Sequence, residues 1–264
     1  MHIIVCMKQV PDLEKIRIKS DTRQPVLEGV PWRLGEFEKN ALEEAVRIKE
    51  KRDDVKVTVI SIGSPKLKDT IKEALAIGAD EAILLTDPLF EGNDTAASAK
   101  VLAKVIQSIG DYDLILMGEG STDEHSGQVP SRLAELLGLP QVTYVRELTL
   151  FESKSLRAIR DLEDALEVVE VNLPAVVTVT PELNEPRLPP LTAILKAARK
   201  PINIWNAQDI GIAAEEVGVN ASTIKELSNL APLQQRKQVI LDGDMDDNID
   251  ELIRALQREG VLTL

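Results

Sequence analysis

A single cysteine, Cys6, among 264 residues excludes an intramolecular disulfide and any multi-cysteine zinc or iron–sulfur site. Two histidines are too few for a transition-metal centre built on imidazoles. No run of about 18 apolar residues occurs, so no transmembrane helix is expected. The opening Met1-His2-Ile3-Ile4-Val5-Cys6-Met7-Lys8 is apolar too briefly for a signal peptide and reads as a first strand, so a cytoplasmic protein is expected. Basic excess is missing too. With 31 Lys and Arg against 44 Asp and Glu, the net charge of −13 argues against nucleic-acid binding, which needs a basic face to neutralise phosphates.

What is present is a hydrophobic content of 44% and a length that suits one large α/β domain with an appendage. Strand-like runs at 3–7, 55–62, 81–86 and 114–117 alternate with helical patterns at 38–52, 68–77, 94–109 and from Ser131 onward. In the first helix Ala41, Leu42, Ala45, Val46 and Ile48 form the buried stripe. Gly78 stands where the second ends. This alternation predicts an α/β fold with a doubly wound parallel sheet. Residues 14–19 alternate as a half-exposed hairpin strand would. After Pro140 the pattern turns strand-rich at 142–150, 156–159, 165–172 and 175–180, which predicts an antiparallel extension of the sheet or a flap on it. Prolines 181, 186, 189 and 190 stiffen an extended loop, and a short basic helix over 192–200 follows, ended by Pro201. The polar stretch to Lys237 shows no evident core. Residues 247–259 form an amphipathic helix with Ile249, Leu252, Ile253 and Leu256 on one face. Such a tail cannot bury itself alone, so the expected division is a nucleotide-binding domain at 1–190 and a docking arm at 191–264.

The strand at 114–117 runs into Gly118-Glu119-Gly120-Ser121-Thr122-Asp123-Glu124-His125-Ser126-Gly127-Gln128-Val129-Pro130, ahead of a helix. Glycines 118, 120 and 127 permit close backbone approach, and Ser121, Thr122, Ser126 and Gln128 add neutral hydrogen-bonding groups. A small-residue loop between a strand and a helix N-terminus suits a nucleotide held by backbone N–H groups, which needs no excess of lysine. At Gly92-Asn93-Asp94-Thr95-Ala96-Ala97-Ser98, Asp94 or Thr95 reads first as an N-cap. The alternative is a pyrophosphate held at the first turn with Thr95 and Ser98. Asp123, His125 and Ser126 have the residue types of a hydrolytic triad, but lie too close together in sequence to line up and lack a nucleophile elbow. Cys6, on a strand, reads as a small buried side chain.

Several of these segments resemble the beta subunit of electron transfer flavoprotein. Val5-Cys6-Met7-Lys8-Gln9-Val10-Pro11-Asp12 is similar to the family's opening, and Ala41-Leu42-Glu43-Glu44-Ala45 to its first helix. Glu73-Ala74-Leu75-Ala76-Ile77-Gly78-Ala79-Asp80 and residues 160–177, with Glu167 and Leu173-Pro174-Ala175-Val176-Val177, follow in the same order. Asn184-Glu185-Pro186-Arg187, running on to Leu191, resembles the loop by which such proteins dock on dehydrogenases. The resemblance implies a heterodimer whose alpha subunit carries a redox-shuttling FAD while the beta subunit holds AMP, or, in bifurcating members, a second FAD that accepts hydride from NADH. It also implies cofactor contacts at Cys6, at Gly35 and Phe37 in the 35–38 turn, at Ile62, and along the loop at Gly118, Glu119, Gly120, Ser121, Thr122, Asp123, Ser126, Gly127, Gln128 and Val129. Asp94, Thr95 and Ser98 reproduce a bifurcating pattern, and Leu191 takes the docking position. The chain departs from the family's pattern at Gly35-Glu36-Phe37, where Asn-Pro-Phe is usual, at Asp164-Ala165 in place of a glycine pair, and at Ser121-Thr122-Asp123 and His125 in the loop.

Overall fold

Ile3 and Val5 pack into one core cluster and Ile4 and Cys6 into another, so the first strand is apolar on both faces and belongs in the middle of a covered sheet. The computed structural model describes residues 1–151, 154–233 and 237–262. In chain order its elements are β1 (His2–Cys6), β2 (Gln9–Pro11), β3 (Arg17–Ile18), β4 (Pro25–Val26), β5 (Trp32–Leu34) and α1 (Glu36–Glu50). Then come β6 (Lys56–Ile62), α2 (Lys68–Ile77), β7 (Glu81–Leu85), α3 (Thr95–Ile109), β8 (Leu114–Gly118) and α4 (Val129–Leu137). The second half holds β9 (Gln141–Leu150), β10 (Ser155–Asp161), β11 (Leu166–Asn172), β12 (Ala175–Val179), α5 (Leu191–Ala197), β13 (Ile202–Trp205), α6 (Gly218–Ala221) and α7 (Met245–Arg258).

One nine-stranded sheet runs in the order β11-β10-β9-β12-β8-β1-β6-β7-β13. It is parallel from β9 to β13, and β10 lies antiparallel to both of its neighbours. Leu42, Ala45 and Val46 of α1 and Ile71 and Leu75 of α2 cover one face. Leu102, Val105 and Ile106 of α3 and Leu133 of α4 cover the other. The fold is the doubly wound α/β sheet that the strand–helix alternation predicts, with an antiparallel extension beyond β9.

Two stretches differ from the pattern read in the sequence. Over residues 14–19 only Arg17–Ile18 forms a strand, paired with Pro25–Val26, because the Asp12 side chain accepts from the Glu14 amide and winds Leu13–Lys15 into a 3-10 turn. The polar stretch after Pro201 does contribute core: β13 extends the sheet in parallel beside β7, and Ala207, Ile210, Ile212 and Val217 are buried against the α3 face. The sheet therefore draws its last strand from beyond residue 190. Residues 234–236 of that stretch lie outside the described residues. The α7 helix has no buried residue, and Ile249, Leu252 and Ile253 remain 47%, 49% and 38% exposed. Among the described residues no helix is long and apolar enough to cross a membrane.

Candidate functional site

From β1 the chain moves to β6 and β7 on one side, then returns to place β8 on the other. The connections leaving β1 and β8 diverge at their C-terminal ends, which opens the crevice where ligands of open α/β sheets bind. Cys6 ends β1, Ile62 ends β6 and Gly118 ends β8 along this edge. At Gly118 the approach is close: a Cβ there would stand 2.6 Å from the Phe37 Cβ and 3.1 Å from the Gly120 carbonyl oxygen. The first turn of α1 thus rests directly on the end of β8.

Lys8, unremarkable as a lone lysine after the first strand, gathers the parts. Its carbonyl accepts from the Gly35 amide at 3.0 Å. Its ammonium donates to Asp123 Oδ1 at 2.9 Å, Glu124 Oε2 at 3.2 Å and Ser121 Oγ at 3.4 Å. The loop is thereby tied to the end of β1. Within the loop the His125 amide donates to the Ser121 carbonyl at 2.9 Å, and His125 and Gly127 take positive φ angles of 48° and 62°. The His125 ring lies 5.6 Å from that of Phe37, tilted by 48°. Asp123 is thus engaged with Lys8, while His125 packs on Phe37, so the triad residue types do not form a triad.

The start of α3 and the loop after β8 meet in one hydrogen bond. The Thr95 hydroxyl, at the start of α3, donates to Gln128 Oε1 at 3.0 Å, and Arg132 Nη2 donates to the same oxygen at 3.2 Å. Asp94 is the N-cap of α3: its Oδ1 accepts from the Ala96 and Ala97 amides at 3.0 and 2.8 Å. Its Oδ2 accepts from the Thr223 amide and hydroxyl at 2.8 and 3.1 Å. Burial pushes the Asp94 carboxyl up, but these donors outweigh it and hold the group below the usual carboxylate range.

Residues 26–210 match the electron transfer flavoprotein domain family. The chain is 40% identical to an electron transfer flavoprotein subunit beta of Thermoanaerobacterium thermosaccharolyticum, over 99% of this chain and 100% of that protein. It belongs to the electron transfer flavoprotein family, as a beta subunit. A second beta subunit, from Clostridium acetobutylicum, is 41% identical over 98% of this chain and 99% of its own. The Caffeyl-CoA reductase-Etf complex subunit CarD of Acetobacterium woodii is 40% identical over 88% of each chain.

In this electron transfer flavoprotein chain the remaining site residues divide by chemistry. Cys6 is 6% exposed, and burial pushes its thiol up to about 12, so a neutral thiol ends β1. For Asp123 burial raises the carboxyl, but Ser121 and Lys8 bring it below its ordinary range. Burial raises Glu119. Glu38, in the first turn of α1, is 4% exposed and its Oε2 has no hydrogen-bond partner. Leu191 stands apart on the first residue of α5 and is 71% exposed. The loop before it is pinned to α1: Asn40 Nδ2 donates to the Asn184 carbonyl at 2.6 Å, and Arg187 Nε and Nη2 donate to Glu43 at 2.8 and 2.9 Å.

Proposed function

We propose that this beta subunit works in a heterodimer with an alpha partner, passing electrons between dehydrogenases and an acceptor, and that its crevice holds FAD. The observation that carries this reading is the Thr95–Gln128 bond, which joins the start of α3 to the loop after β8 at the switch point of the sheet. The residues present fit an adenine dinucleotide. Ser121, Ser126 and Gln128 offer neutral hydrogen-bonding groups on the loop, beside Thr95 at the start of α3. Because Asp94 occupies the Ala96 and Ala97 amides, the hydroxyls of Thr95 and Ser98, with Ser126 and Gln128, would hold the diphosphate. Asp94 then shapes the turn and makes no contact of its own. When bound, the flavin supplies one- and two-electron redox chemistry, with NADH as the hydride donor in a bifurcating complex. The similarity to a subunit of a caffeyl-CoA reductase complex supports a reductase of acyl-CoA type as the docked partner, with Leu191 as the exposed apolar anchor.

The test is a flavin count on the purified heterodimer. Two FAD per heterodimer, released on denaturation and identified by mass spectrometry, is the expected result. One FAD with one AMP would make the beta subunit a non-redox structural part that presents Leu191 to dehydrogenases. The capping of the α3 amides by Asp94 favours that alternative, since AMP has no diphosphate to seat there.

A further inference from the structure

Residues 224–230, between α6 and α7, have no regular structure, and Ile224 and Leu227 are 60% and 90% exposed. Among the described residues no hydrogen bond ties them to the rest of the chain. Both ends of the stretch, however, are fastened. At one end the Gly218 amide donates to Asn93 Oδ1 at 2.5 Å, and Ser222 Oγ donates to the Gly92 carbonyl at 2.7 Å and accepts from the Asp94 amide at 2.9 Å. Thr223 adds its two bonds to Asp94 Oδ2, and Val219 packs so closely on Gly92 that a Cβ there would stand 2.4 Å from its Cγ2. At the other end the Ala231 amide donates to the Arg23 carbonyl at 2.9 Å, and Arg23 Nη1 donates to the Ala231 carbonyl at 3.3 Å.

The two fastenings stand on opposite sides of the crevice. Asp94 begins α3, which the Thr95–Gln128 bond joins to the loop after β8. Arg23 lies between β3 and β4, in the excursion that leaves the end of β1 and is closed back on it by the pairing of β2 with β5 and by the Gly35 amide on the Lys8 carbonyl. The stretch from Thr223 to Ala231 reaches at most about 29 Å, so it runs directly from the β8 side to the β1 side. We propose that residues 224–230 are a strap across the mouth of the crevice, hinged at Asp94 and clasped at Arg23, which opens at the clasp to let the nucleotide in or out. This rests on the reading of the crevice as a nucleotide site. The fastenings are unequal: the hinge combines several hydrogen bonds with the buried Val217, whereas the clasp is two bonds. A segment with few buried contacts opens where it is held least.

The experiment uses the heterodimer reloaded at its beta site with isotope-labelled AMP, the portion common to AMP and FAD, and follows release into excess unlabelled AMP. Arg23 has φ at 59°, which glycine adopts freely, so Arg23→Gly removes the guanidinium bond without straining the hairpin. Release from Arg23→Gly should quicken about two- to tenfold, the worth of one hydrogen bond, and hydrogen exchange should rise over residues 224–231. Arg23→Cys combined with Ala231→Cys locks the clasp on oxidation, since the one native cysteine, Cys6, is buried. Release from the oxidised form should be at least about tenfold slower than from the same protein after reduction. An unchanged rate in Arg23→Gly, or equal rates in the oxidised and reduced forms, would overturn the strap. So would failure of the disulfide to form, because the clasp would then not persist in solution. A heterodimer that forms the disulfide but binds no AMP in either form would instead remove the crevice reading beneath the proposal.

Discussion

Arg187 ties the loop before α5 to α1, and replacing it with methionine measures that tie. The side chain donates to Glu43 through Nε at 2.8 Å and Nη2 at 2.9 Å, and its Nη2 reaches Glu50 at 2.9 Å. The Glu43 side chain is 2% exposed. Removing one partner of a buried ion pair costs about 3–5 kcal/mol because the other charge is stranded. Here Arg47 Nε stays on Glu43 at 2.9 Å, and Arg187 is itself 33% exposed, so the cost falls to about 2–3 kcal/mol. The arm to Glu50, whose side chain is 55% exposed, adds less than about 1 kcal/mol. Urea unfolding of Arg187→Met, Glu43→Gln and the double variant should return a coupling of about 1–2 kcal/mol, and hydrogen exchange should quicken over residues 184–191. Burial alone would raise Glu43, but Arg187 and Arg47 depress it. A carboxyl depressed in the folded state adds stability above its unfolded value near about 4.3, and that stability is lost as pH falls through the folded value. The gap between Arg187→Met and the unmodified protein should therefore be full at neutral pH and close in acid. A coupling below about 0.5 kcal/mol, or a gap unchanged in acid, would show that packing and not this ion pair holds the loop.

Gly118→Ala forces a methyl against Phe37, at 2.6 Å from its Cβ, and should lower stability by about 1–3 kcal/mol in chemical denaturation. Asp94→Ala uncaps α3 and releases Thr223, so a loss of about 1–2 kcal/mol is expected at neutral pH. Because Asp94 is held below the usual carboxylate range, that loss should fade as pH falls below about 4, and thermal melts across pH will show it. The Cys6 thiol, pushed up to about 12, should resist a thiol-reactive disulfide reagent in the native protein and react at once in urea.

The elements that showed plainly in the sequence were those whose apolar spacing and punctuation agreed. The limits of α2, Lys68–Ile77, follow from its stripe and from Gly78, which ends it with φ at 156°. Strand β13 was hidden because Ile202–Trp205 is short, half exposed and at the sheet edge, and because Ala207, Ile210, Ile212 and Val217 are buried singly, without a period. At the site, the loop after β8 was legible from its glycines and hydroxyls. Lys8 was not, since its role depends on contacts with Ser121, Asp123 and Glu124 more than a hundred residues away. The spacing of Gly35 and Glu38, an N-cap and its third helical residue, was the available hint that a carboxyl folds back over the turn.

The position of β13 bears on how the chain acquires its fold. Its partner β7 is fully apolar from Ala82 to Leu85, yet the strand that shields it arrives only with residues 202–205. During synthesis on the ribosome, the outer edge of β7 therefore stays unpaired while more than a hundred further residues are made. Bare edges of that kind recruit other chains. A chaperone binding the nascent protein would find an unpaired strand there until Ile202 pairs with Ala82.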